Sequence, residues 1–64
     1  PDRRIFETML REGNMRPEET LFLDDGPANV AMAREFGIHT YQPLNGEDWR
    51  EPVRQLLGQL NQHG

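Results

Sequence analysis

The sequence predicts an α/β fold, a partial Rossmann-like layer in which short parallel strands alternate with helices. Three segments place apolar residues at helical spacing, which predicts three helices. Two short runs between them are rich in apolar, β-branched and aromatic residues, a composition typical of strands. The predicted order is helix-strand-helix-strand-helix, the alternation that characterises a parallel layer.

The first predicted helix begins at Pro1 and Asp2, where the Asp2 carboxylate can cap the first turn. Four apolar residues at helical spacing are predicted to lie on one face of it: Ile5, Phe6, Met9 and Leu10. Gly13 is the predicted end of this helix. Pro17 then restricts the backbone and favours a turn before the next element.

The middle of the chain predicts a strand-helix-strand unit. Residues 20–23 form a short, continuous apolar run, as expected of a parallel strand that is buried on both faces. A tight turn follows, and residues 28–36 are predicted to be a helix that ends at Gly37. Residues 38–41 are the predicted second strand.

The last predicted helix begins at Asp48, because Asp48 and Glu51 have the spacing of a capping box. Its apolar stripe is predicted to pack on the sheet and consists of Trp49, Val53, Leu56, Leu57 and Leu60. Trp49 is thus a predicted core residue. Because two parallel strands alone leave sheet edges and helix faces unprotected, the layer is predicted to belong to a larger doubly wound domain.

The composition excludes several classes of protein. The formal net charge is −4, with eleven acidic residues, seven arginines and no lysine, whereas nucleic-acid binding needs a clustered basic surface. The longest wholly apolar run, residues 21–23, is far shorter than the roughly 18 residues that a membrane span requires. The absence of cysteine suits a reducing cytoplasm. We therefore predict a cytoplasmic protein that binds neither nucleic acid nor membrane.

Two acidic residues, Asp24 and Asp25, follow the first predicted strand, at the edge of an α/β sheet where ligands bind. Adjacent carboxylates in this position repel each other, and a divalent cation would offset that cost. Magnesium suits such ligands, since it commonly uses one or two carboxylates with waters and a phosphate. An aspartate before a helix can also be only its N-cap. The residue types alone leave both interpretations open.

Several segments together resemble one known family. Residues 17–30 (PEETLFLDDGPANV), continuing to residues 36–38 (FGI), resemble the fourth motif of haloacid dehalogenase-like (HAD) hydrolases. Residues 1–6 are similar to the region after that family's third motif, and residues 41–57 resemble the closing loop and helix of bacterial members related to β-phosphoglucomutase. The resemblance identifies residues 1–64 as the C-terminal portion of a HAD-like core domain.

The resemblance implies a magnesium-dependent hydrolase, a phosphatase or phosphoglucomutase-like enzyme that acts through an aspartyl-phosphate. Asp25 would be a direct or near-direct metal ligand, and Asp24 would be a second ligand or would hold a metal-bound water. The family's first three motifs, which supply the nucleophile, a serine or threonine and a lysine, are absent here, so no catalytic residue is assigned. The implied partners are the rest of the HAD core, the cap domain and a small phosphorylated metabolite, and the segment alone is expected to be inactive.

Two other functional classes are alternatives for the same acidic pair. A receiver-like signalling module also ends a strand in two aspartates, but it needs a phosphoacceptor aspartate on a later strand and a lysine beyond it, which this sequence lacks. A non-catalytic interaction fragment would use the pair only as a cap. Asn29 can hydrogen-bond the acidic loop or simply lie in the first turn of the helix, and we favour the structural role. We predict that His39 is a packing or surface residue and that His63 is solvated.

Overall fold

The computed structural model describes residues 2–62, so the predictions for Pro1 and His63 fall outside it. The elements within that range are α1 (Arg3–Glu12), a short 3-10 helix (Pro17–Glu19), β1 (Leu21–Leu23), α2 (Pro27–Glu35), β2 (His39–Tyr41) and α3 (Arg50–Gln62). This order confirms the predicted alternation of helices and strands. Within residues 2–62, none of the helices is both long and apolar enough to cross a membrane.

The two strands pair in parallel, with Leu21 opposite His39 and Leu23 opposite Tyr41. Helix α2 makes the crossover between them, as the alternation requires. The carboxyl ends of β1 and β2 therefore lie at the same edge of the sheet. The turn after β1 and the loop after β2 begin side by side at this edge.

The core is small, and Phe6 lies at its centre. Its buried side chains within the described residues are Phe6, Val30, Ala33 and Ile38. The Phe6 ring packs edge-on against Phe22, with ring centroids 5.4 Å apart, and stacks on Phe36 at 5.8 Å. Phe6 thus joins α1 to the sheet and to the end of α2.

Two helix boundaries follow the sequence prediction closely. The Asp2 carboxylate accepts a hydrogen bond from the Arg4 backbone N–H at 2.9 Å, which caps α1 as predicted. At the end of α2, Gly37 has a φ of 79°, a conformation in which glycine avoids the steric penalty of a Cβ. The Gly37 N–H donates to the Arg34 carbonyl at 2.9 Å, which stops the helix.

The start of α3 differs from the prediction, because α3 begins at Arg50 and no capping box forms at Asp48. The Asp48 carboxylate instead pairs with the Arg50 guanidinium at 2.8 Å and accepts the Arg50 backbone N–H at 3.2 Å. Glu51, which the capping box requires to reach back, pairs forward with Arg54 at 3.3 Å. Nearby arginines therefore compete with the backbone for both carboxylates.

Burial is also lower than predicted at several apolar positions. Ile5 is 67% exposed, although it belongs to the predicted apolar face of α1. Trp49 is 43% exposed, so its assignment to the core was wrong. Leu23 is 37% exposed, so β1 is not buried on both faces. An open groove of about 570 Å³ lies between β1 and α3 and is lined by Met15, Leu21, Leu23, Val53 and Leu57, among others.

Candidate metal-binding turn

The acidic turn, defined as residues 24–29, connects β1 to α2 at the carboxyl edge of the sheet. The backbone N–H of Asp24 donates to the Tyr41 carbonyl at 3.3 Å, which extends the hydrogen-bond ladder one residue beyond β1. Asp24 is therefore anchored through its main chain to the last residue of β2. This bond fixes the backbone position from which the Asp24 side chain extends.

Two donors hold the Asp24 carboxylate. Oδ1 accepts the Gly26 backbone N–H at 2.9 Å, and Oδ2 accepts the Asn29 side-chain Nδ2–H at 3.1 Å. These bonds favour the ionised carboxylate and lower the pKa of Asp24, the Gly26 amide being the larger cause and Asn29 a smaller one. Asp24 is half-buried and remains negatively charged at neutral pH.

Asp25 is the more accessible member of the pair. It is exposed, whereas Asp24 and Asn29 are half-buried. The two carboxylates therefore differ in character: Asp24 is oriented by donors inside the turn, and Asp25 is open to a ligand that approaches the sheet edge. Each single-donor bond to an Asp24 oxygen leaves acceptor capacity on that oxygen, because a carboxylate oxygen has two lone pairs. The pair can offer oxygen ligands to a hard cation.

The structure separates this arrangement from simple helix capping. The N-cap residue of α2 is Gly26, which makes no side-chain cap bond, and Pro27 occupies the first turn. Neither Asp24 nor Asp25 is the N-cap residue, so the alternative that assigns one of them to that position was wrong. The carboxylate of Asp24 closes a turn ahead of the helix, through the Gly26 N–H.

Asn29 contacts the acidic loop, which is the alternative that the sequence analysis named but did not favour. Its side-chain amide donates to Asp24 across the turn. A Cβ at position 26 would lie 3.3 Å from Asn29 Nδ2 and 3.4 Å from Asp24 Oδ1, so Gly26 leaves room for this bond. The spacing of five residues from Asp24 to Asn29 around a glycine was the available signal.

The remaining candidate ligands lie elsewhere. His39 is exposed, as predicted, and its Nε2 is 3.0 Å from the Glu18 carbonyl. It begins β2, at the end of the sheet opposite to the acidic turn. Among residues 2–62, no group of three or more histidine, cysteine, aspartate or glutamate side chains converges as a metal site. The fit to magnesium rests on Asp24 and Asp25, a number of carboxylates that this ion commonly uses.

Comparison with known proteins assigns the fold to a superfamily. No family model matches the chain. The D-ribitol-5-phosphate phosphatase of Bacteroides thetaiotaomicron is 42% identical over 57 residues, which cover 89% of this chain and 28% of that protein. A HAD-like family hydrolase from Porphyromonas gingivalis superposes with a TM-score of 0.85 at 54% identity, over 89% of this chain and 28% of that one. The chain belongs to the haloacid dehalogenase-like superfamily.

Two further proteins are similar to this chain, and one of them was solved with bound ligands. A HAD family enzyme of Bacteroides thetaiotaomicron, solved in complex with magnesium and inorganic phosphate, is 40% identical with a TM-score of 0.77, over 81% of this chain and 26% of that one. Mouse acyl-CoA dehydrogenase family member 10 is 38% identical over 58 residues, 91% of this chain and 5% of that protein. The HAD-like chain spans little more than a quarter of its bacterial relatives.

Proposed function

We propose that the acidic turn is the magnesium-binding turn of a HAD-like phosphate-ester hydrolase, either a phosphatase or a phosphoglucomutase-like enzyme. The observation that carries the proposal is the pairing of an oriented, ionised Asp24 with an exposed Asp25 at the carboxyl edge of the sheet. The bacterial relatives support it, since one is a phosphatase and another was solved with magnesium and phosphate. They favour a hydrolase over a receiver-like signalling module or a non-catalytic interaction fragment.

The two aspartates have different roles in this proposal. Asp25, which is exposed, is the direct magnesium ligand. Asp24, which is held by Gly26 and Asn29, is a second ligand or orients a metal-bound water. Bound magnesium would offset the negative charge of a phosphate and of the carboxylate that attacks it. The Gly26 amide and, to a smaller extent, the Asn29 side chain lower the pKa of Asp24, and both bonds fix the direction of its carboxylate.

The remaining parts of the reaction come from outside this chain. The nucleophile that forms the aspartyl-phosphate belongs to the rest of the HAD core, and the cap domain selects the small phosphorylated metabolite. Within the chain we assign no catalytic residue and two metal ligands. The intact enzyme is therefore this chain together with that core and cap, and its cytoplasmic location stays a prediction of the composition.

Because the proposed nucleophile lies outside this chain, the intact enzyme and the 64-residue chain should differ in turnover. The intact enzyme should hydrolyse a generic phosphate monoester in the presence of magnesium and lose that activity with EDTA. The 64-residue chain should show no turnover at the same concentration, because it lacks a nucleophile. The measurement is phosphate release with and without magnesium. Turnover by the pure 64-residue chain, or EDTA-resistant turnover by the intact enzyme, contradicts the proposal.

A further inference from the structure

The loop that follows β2, residues 42–47, begins beside the acidic turn. Tyr41 is the last residue of β2, and its carbonyl accepts the Asp24 backbone N–H. That bond is 3.3 Å long, whereas the bond from the His39 N–H to the Thr20 carbonyl at the other end of the pairing is 3.0 Å. Each strand has only three residues, so few neighbouring hydrogen bonds of the ladder stabilise the bond between Asp24 and Tyr41.

A second set of bonds supports the end of β2. The Tyr41 hydroxyl donates to Glu47 Oε2, while Oε1 of the same carboxylate accepts the Leu44 backbone N–H at 2.8 Å. The Glu47 N–H donates in turn to the Leu44 carbonyl at 3.0 Å. Both Tyr41 and Glu47 are half-buried. These bonds join Leu44 to Glu47 within the loop and anchor the loop to Tyr41, the last residue of β2.

The charge state of Glu47 fits this arrangement. The Tyr41 hydroxyl is the largest cause that lowers the pKa of Glu47, and the Leu44 amide is the second. The same bond is the largest cause that raises the pKa of Tyr41. At neutral pH a neutral phenol therefore donates to an ionised carboxylate, which is the stronger class of hydrogen bond. Gly46 makes the turn possible with a φ of 81°.

We propose that Tyr41 and Glu47 are positioning residues for the acidic turn. Their bond holds the carboxyl end of β2 in place, and the Tyr41 carbonyl then holds the Asp24 backbone. Neither side chain has to touch the metal, because the effect passes through the main chain of Asp24. This inference rests on the proposed magnesium function, and it assigns a role in that function to a loop that the HAD resemblance leaves without one.

The test compares Tyr41→Phe with the wild-type intact enzyme. This substitution keeps the ring and removes only the hydroxyl. The magnesium concentration for half-maximal turnover should rise about tenfold, the lower end of the effect of an outer-shell partner on metal affinity. The turnover number at saturating magnesium should stay within about twofold, since the transition-state contacts are unchanged. Hydrogen exchange of the Asp24 amide should accelerate roughly tenfold.

Two further variants control the experiment. Thr40→Val removes a hydroxyl from the neighbouring position of β2, one that accepts the Arg34 Nε–H at 2.8 Å, and should leave both readouts unchanged. Glu47→Ala should raise the magnesium requirement at least as much as Tyr41→Phe, because it also removes the acceptor of the Leu44 N–H, and the double variant should be no worse than Glu47→Ala alone. Wild-type magnesium dependence together with wild-type exchange of the Asp24 amide in Tyr41→Phe overturns the inference.

The outcomes also separate this inference from the function on which it rests. Magnesium-independent turnover of the wild-type enzyme would overturn the proposed function, and exchange of the Asp24 amide would then still decide whether Tyr41 and Glu47 position the turn. A lowered turnover number with an unchanged magnesium requirement would show that Tyr41 acts on catalysis and not through Asp24, which also overturns the inference.

Discussion

Asp25→Asn in the intact enzyme is expected to reduce magnesium-dependent turnover by roughly 100-fold or more, since loss of even an outer-shell partner of a metal ligand costs about 10- to 100-fold. The amide has the shape of the carboxylate but no charge, so it is a weaker ligand for a hard cation. Asp25 is exposed, and the free energy of unfolding should change little. Steady-state kinetics over a range of magnesium concentrations measures the loss.

Glu12→Gln is the matched control for this experiment. It removes one exposed carboxylate charge at the end of α1, far in sequence from the acidic turn, where Glu12 pairs weakly with Arg11 at 3.7 Å. Its kinetics should equal those of the wild type. Wild-type turnover of Asp25→Asn at both limiting and saturating magnesium contradicts the ligand role of Asp25.

Phe6→Ala should have the largest effect on stability. Phe6 is 5% exposed and its ring contacts both Phe22 and Phe36, so truncation removes buried apolar surface and leaves a cavity. The expected loss is about 3–5 kcal/mol in the free energy of unfolding. Denaturant unfolding of the intact protein measures it. Ile5→Ala, at a neighbouring position that is 67% exposed, should cost far less. Equal losses for the two variants would show that Phe6 is not the centre of this core.

The fold was largely predictable because its main signals are local. The Asp2 cap, the apolar run before the acidic pair and the glycine after α2 each act within a few residues, and all three are present in the structure. The start of α3 was not predictable in the same way. The capping-box spacing indicates that Asp48 and Glu51 can reach the backbone. It takes no account of the arginines that compete for these two carboxylates.

Burial was the weaker part of the prediction, for a different physical reason. Helical spacing identifies an apolar face but not how much sheet is present to cover it. In the described part of the chain, the layer has two three-residue strands, and Trp49 and Leu57 remain about half exposed. Periodicity placed Leu57 correctly on the apolar stripe of α3, whereas Trp49 lies one residue before the start of that helix. Their burial depends on surface that this layer does not supply.

The candidate site was also predictable only in part. The position of the acidic pair followed from its place after an apolar run, and the turn after β1 confirms that position. The bond from Asn29 to Asp24 joins residues five apart, and the bond from Tyr41 to Glu47 joins residues six apart across a loop. Neither spacing matches the period of a helix or a strand, so a periodic sequence pattern does not predict these two bonds. Such contacts depend on the backbone path of a turn.

A magnesium titration of the ¹⁵N-labelled chain, followed by NMR, tests whether the acidic turn binds this ion. We expect chemical-shift changes at the backbone amides of residues 24–29 other than Pro27, which has no N–H, and smaller changes at Tyr41, whose carbonyl bonds to Asp24. The same titration of the Asp25→Asn chain should give little or no change. If magnesium leaves residues 24–29 unshifted, or shifts them equally in Asp25→Asn, the acidic turn is not a magnesium site.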